Sequence, residues 1–135
     1  MKWVETGMKA IITSLFTVLL FHSTAFAYTY NQNECSEIAN VVNKTLPMSV
    51  DQATRLVSSV CLVFSGKATF TYNYELNIMP QVKLPQDFKQ KVIKKFCSNP
   101  DTRAFLDGLT TLKMDYYLQS GNFYDRIEFS KRDCN

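Results

Sequence analysis

Histidine and tryptophan are almost missing: each occurs once in the 135 residues, as His22 and Trp3. Both precede the mature chain, which therefore carries neither. Histidine is the side chain best suited to proton transfer near neutral pH. Without it there is no Ser-His or Cys-His nucleophile pair and no usual zinc set. Clustered oxygen ligands such as an EF-hand loop are absent too, so neither a metal nor another cofactor is expected. A formal net charge of +3 gives no nucleic-acid signature. The longest apolar run, "AIITSLFTVLLF" from Ala10 to Phe21, falls short of the roughly 20 residues that a membrane span requires.

That run is instead the centre of an export signal. Lys2 and Lys9 stand ahead of it, and "STAFA" ends it in the small residues Ala25 and Ala27. Met8 would serve equally well as a start. Cleavage after Ala27 makes 1–27 a secretory signal peptide and leaves 28–135 as one small domain. No cysteine follows the cleavage point directly, so no stable membrane anchor is expected after processing. The compartment implied is the periplasm.

All four cysteines, Cys35, Cys61, Cys97 and Cys134, lie after that point. An even number in a small exported domain reads as two disulfides. Three pairings exist. Each half of the chain has a cysteine in a predicted helix and another in or just after a predicted hairpin. This weak internal duplication favours Cys35–Cys61 with Cys97–Cys134.

The periodicity predicts the order α-β-β-α-α-β-β, an α+β fold with one antiparallel sheet of two β-hairpins and helices on one face. "NQNECSEIANVVNK" is a helix capped by Asn31 or Asn33, with Cys35, Ile38, Ala39 and Val42 on one stripe. "TRLVSSVCLVF" and "ATFTYNYEL" form a hairpin about Ser65-Gly66. Its register sets Val57, Ser59 and Cys61 against Tyr74, Tyr72 and Phe70. The aromatic stripe from Phe70 to Tyr74 is read as core, because the alternate residues are polar. Leu56, Val60 and Leu62 then fall outward, where they are covered or meet a partner. "LPQDFKQKVIKKFC" is a helix starting at Pro85, with Lys89 near its apolar side. "NPDTRAFLDG" is a short helix between Asn99 and Gly108.

The last hairpin, "KMDYYLQSGNFYDRIEFS", is the densest in acids and phenols. A two-residue turn at Ser120-Gly121 puts Leu118, Met114 and Leu112 opposite Phe123, Ile127 and Phe129, facing inward. Outward, Tyr117 faces Tyr124, Asp115 faces Arg126 and Lys113 faces Glu128. Every outward charge then has an opposite neighbour, which favours this register over its shifts. It also accounts for Asp115 and Glu128 without catalysis. Asp125 is left opposite Tyr116, at the rim, bonding a hydroxyl or a backbone amide. A glycosidase would need two carboxylates across a cleft. Asp51, Glu75 and Asp125 are the acids left for such a pair, and their spacing does not ask for it. No catalytic set is assigned, and the chain reads as a binder rather than an enzyme.

The outer face so assembled carries Thr69, Thr71, Asn73 and Glu75 beside the candidate contact residues Lys113, Asp115, Tyr117, Tyr124, Arg126 and Glu128. Tyrosine and arginine anchor protein interfaces. A protein partner is therefore expected, and a homodimer through the outward aliphatic residues is the alternative arrangement. The signal "MKAIITSLFTVLLFHSTAFA", the small mature size and the missing anchor resemble periplasmic bacteriocin immunity proteins of the pesticin-immunity type. That resemblance implies an inhibitor that binds a cell-wall-degrading toxin, or a periplasmic enzyme, by direct contact. The competing expectation is a pilotin-like or chaperone-like accessory module of a secretion system. A small hydrolase ranks third.

Overall fold

The computed structural model describes residues 28–135; the predicted signal peptide, with His22 and Trp3, lies outside the described residues. The elements run α1 (Gln32–Asn43), β1 (Met48–Ser49), β2 (Thr54–Phe64), β3 (Lys67–Leu76), α2 (Gln86–Ser98), α3 (Pro100–Asp107), β4 (Thr111–Leu118) and β5 (Phe123–Phe129), with a closing 3₁₀ turn at Lys131–Cys134. The class is α+β, as the periodicity predicts.

Local chemistry sets the helix ends. Asn31 caps α1 by accepting from the Glu34 N–H at 2.9 Å. Pro85 precedes α2, and Asn99 caps α3 with Pro100 at its first position. Gly108 ends α3 directly under the Tyr30 ring, in a space too small for a Cβ.

The strands form one five-stranded sheet in the order β1-β2-β3-β4-β5. It is not wholly antiparallel: β3 and β4 run parallel, Thr69 beside Thr111 through to Leu76 beside Leu118. α2 and α3 supply the long crossover that a parallel pair requires. The two hairpins thus join through their inner strands, which hairpin patterns alone do not specify.

Two bulges correct the expected registers. At β2–β3, Ser65-Gly66 is a two-residue turn with φ of 51° and 74°, and Cys61 and Ser59 face Phe70 and Tyr72 as expected. A bulge at Val57 then brings Leu56, not Val57, opposite Tyr74. The extra residue turns Leu56 into the core, where it is buried, while Val60 and Leu62 stay outward and exposed. At β4–β5 the connection is one residue longer than expected. Leu118 bonds Asn122 at 2.9 Å, and Gly121 takes φ of 90°. Tyr117 then pairs with Phe123 rather than Tyr124. Tyr124 becomes the bulged residue, and it cancels the longer loop. From Tyr116–Asp125 to Leu112–Phe129 the expected register returns.

The helices cover the sheet face formed by Phe70, Tyr72, Tyr74, Leu76, Leu112, Met114, Ile127 and Phe129, all buried. The Phe70–Tyr74 stripe is core, as expected. α1 is held to β2 by the Cys35–Cys61 disulfide, and the second bridge is Cys97–Cys134. Both pairings match the duplication. α2 packs Phe88 against Tyr116 and Phe96 against Phe129; α3 packs Phe105 against Phe70. Among the described residues no helix is long and apolar enough to cross a membrane.

Burial raises the phenols of Tyr30, Tyr72, Tyr74 and Tyr116 well above their ordinary value of 10.0, because desolvation penalises the phenolate. A raised folded-state value means the neutral form stabilises the fold. That contribution is complete below pH 10, the unfolded value, and is lost as pH rises beyond it. We expect cooperative alkaline unfolding that starts above pH 10. Circular dichroism and the phenolate absorbance of these tyrosines should change together; phenolate formation in a still-folded chain would refute it.

Candidate interaction surface

Among the described residues the opposite sheet face carries no helix, and its side chains stand in rows across four strands. Arg55, Glu75, Tyr117 and Phe123 form one row; Ser58, Asn73, Asp115 and Arg126 the next; Val60, Thr71, Lys113 and Glu128 a third. Strand spacing makes each row about 14 Å wide. The face is graded. β2 contributes Val60, Leu62 and Phe64, exposed by 41, 59 and 82%. Hydroxyls of Thr69 and Thr71 occupy the middle, and aromatics with charges occupy β4 and β5.

The charged part is internally balanced. Arg126 donates through Nε and Nη2 to both Asp115 oxygens, at 2.5 and 3.0 Å. Asp115 is only 4% exposed although it lies on the uncovered face. Its carboxylate holds the Arg126 guanidinium above the ordinary arginine value. The same guanidinium lies 5.7 Å from the Phe123 ring centre, and Phe123 meets Tyr117 edge-on at 5.7 Å. Asp115, Arg126, Phe123 and Tyr117 thus form one braced cluster. Arg55 pairs with Glu75 at 3.2 Å, and Lys113 stands opposite Glu128 in register. Such a face offers contact area with little net charge.

Of the expected contact residues, Lys113, Asp115, Tyr117, Arg126 and Glu128 come together here. Tyr124 does not. The bulge turns it toward the 77–85 connection, where its hydroxyl donates to the Val82 carbonyl and its ring packs against the core. Phe123, 54% exposed, takes its place. Phe64 extends the stripe of Val60 and Leu62 by simple alternation, a signal readable in the sequence. Asp125 sits at the rim. It accepts from Lys89 Nζ at 2.9 Å and from the Arg126 N–H at 2.7 Å. Glu75 lies on the outer face with Arg55, and Asp51 accepts from the Ala53 N–H at 2.8 Å. Each of these three acids is engaged by its own local partner. Among the described residues no group of three His, Cys, Asp or Glu side chains could hold a metal ion.

Several backbone groups along the sheet margins are already bonded by side chains. On β2 the free backbone is met by amide side chains of α1. Asn43 bonds both the N–H and the C=O of Ser59, at 2.8 and 2.9 Å. Gln32 bonds the Val63 N–H at 2.8 Å and the Cys61 C=O at 3.2 Å. These amides imitate a neighbouring strand and oppose strand addition there. On β5 the Asp125 carboxylate occupies the Arg126 N–H.

This two-layer arrangement, three helices on one side of a stapled sheet, is shared with several solved structures. It is similar to the pilotin EpsS of the Vibrio vulnificus type 2 secretion system, with TM-score 0.60 and 14% identity over 77% of this chain and 91% of that one. AspS, the type II secretion system pilotin of Vibrio cholerae, matches with TM-score 0.56 and 16% identity over 76% and 91%. A Pseudomonas aeruginosa protein described as a candidate secreted protein matches with TM-score 0.57 and 15% identity over 77% and 96%. No protein-family model and no curated protein matches the chain. The expectation of a bacteriocin immunity protein is overturned by these neighbours. The expected export signal and the small size are general features of exported domains, so they do not separate an inhibitor from a pilotin. Both disulfides suit an oxidising, exported setting.

Proposed function

We propose that this chain is a periplasmic, non-catalytic accessory protein of a secretion system, pilotin-like in role, which binds a protein subunit of that system. The reading rests on its likeness in fold to two type 2 secretion system pilotins over most of both chains. The uncovered sheet face is the contact surface, with Val60, Leu62 and Phe64 as its apolar part and the Tyr117–Phe123–Arg126 cluster as its anchor. Because the charges of that face are paired within it, binding there depends on packing and responds weakly to salt.

The test is recovery of secretion-apparatus subunits with the tagged chain from cell envelopes. The changes Leu62→Asp, and Tyr117→Ala with Phe123→Ala, should each reduce recovery at least tenfold while the thermal midpoint stays close to wild type. Tyr124→Ala serves as a contrast on the other side of the sheet and should retain recovery. Normal secretion in a strain lacking the gene, with no apparatus subunit recovered, would refute the proposal.

A further inference from the structure

A second surface differs from the sheet face in its charge. Where α2 meets α3 and the closing 3₁₀ turn, two adjoining recesses of about 590 and 530 Å³ share Lys94, Ser98 and Pro100. Ile93, Pro100 and the Cys97–Cys134 bridge give the first an apolar floor. Lys91, Lys94, Lys95 and Arg103 stand around the two. The one acid in their lining, Asp133, is turned to the Ser130 N–H at 2.8 Å, where it closes the cap of the 3₁₀ turn. The Lys91–Asp87 pair is largely exposed, at 75 and 68%, and is readily exchanged for another carboxylate.

We propose that this groove receives an acidic segment of a protein partner: carboxylates on Lys94 and Arg103, with an apolar side chain on the Ile93–Pro100 floor. Charge complementarity selects the carboxylates, since the lining of the two recesses carries Lys91, Lys94, Lys95 and Arg103 against the one acid Asp133; Arg103 is held by the neutral Asn135 side chain at 3.3 Å, a bond that a carboxylate can displace. Concavity selects a chain segment over an anionic bilayer, because recesses of this volume admit a few side chains and a membrane surface would not enter them. The inference rests on the reading of the chain as a protein binder, but it concerns a different face and needs no secretion apparatus to test.

The probe is a fluorescein-labelled peptide alternating glutamate pairs with leucine, compared with its glutamine counterpart and with vesicles rich in phosphatidylglycerol. Fluorescence anisotropy should show binding of the glutamate peptide, weakening as salt rises, and no binding of the glutamine peptide. Lys94→Glu should weaken binding at least fivefold, Lys94→Gln by less, with unfolding midpoints unchanged. Leu62→Asp, on the sheet face, should leave peptide affinity as it was. Equal affinity for both peptides, no effect of Lys94→Glu in a folded variant, or binding to the vesicles alone would overturn the proposal. Loss of subunit recovery in Leu62→Asp alongside unchanged peptide binding keeps the two surfaces separately testable.

Discussion

Replacing Cys35 and Cys61 together by alanine is expected to destabilise the domain by about 3.5 kcal/mol, from chain-entropy loss for a loop of 26 residues. Against the 5–15 kcal/mol typical of a small domain, this is roughly a quarter of the total or more. The bridge joins two buried positions and fastens α1 along β2. Asn43 and Gln32 reach the same strand from opposite ends of α1, so the loosened helix would also release the edge of β2. A fall of roughly 2–3 M in the urea midpoint should follow. The loop closed by Cys97–Cys134 is longer, with a separation of 37, but Cys134 sits in the 3₁₀ turn Lys131–Cys134, none of whose side chains is buried. Removing that bridge frees this exposed turn rather than a buried helix stripe, and it should shift the midpoint less. A larger shift from the second pair than from the first would show that α1 does not depend on its bridge.

The second large effect is expected at Asp115 and Arg126. Removing one partner of a buried ion pair costs about 3–5 kcal/mol, because the remaining charge loses its compensation. Asp115 has a side chain only 6% exposed, whereas Arg126 is 40% exposed, so water relieves part of the cost. Arg126→Ala should therefore cost about 2–3 kcal/mol. The Asp115→Leu, Arg126→Leu double variant should lie within about 1 kcal/mol of wild type, since no unpaired charge remains. Chemical denaturation of the four members of the leucine cycle would measure the coupling. Additive effects would mean that the short contacts at 2.5 and 3.0 Å carry no mutual stabilisation.

Much of the fold was legible locally because its signals are local. Asn31, Pro85, Asn99 and Gly108 mark helix ends by capping chemistry within a turn of themselves. The alternation from Phe70 to Leu76 marks a half-buried strand. Opposite charges fixed Asp115 against Arg126 and Lys113 against Glu128. The candidate surface was legible to the same extent. Tyr117 and Arg126 lie on the uncovered face as expected, while Tyr124 was misplaced because a three-residue turn and a bulge offset one another. Hydrophobic pattern registers only their sum, so the strand beyond the bulge read correctly and the residue inside it did not.

Read alone, the chain establishes the class and the helix limits, favours the disulfide pairs that form, and marks most of the inner face of the sheet. Each follows from interactions between near neighbours or from a repeat visible along the chain. The parallel pairing of β3 and β4, the inward turn of Leu56, and the bonds of Asn43 and Gln32 to the β2 backbone come from packing across the whole domain. These depend on residues at least 16 positions apart meeting across the crossover or the edge. No local pattern encodes such meetings, because they are settled by how whole elements pack. The same packing exposes the sheet face and gathers the cations between α2 and α3, and so decides where a partner can bind.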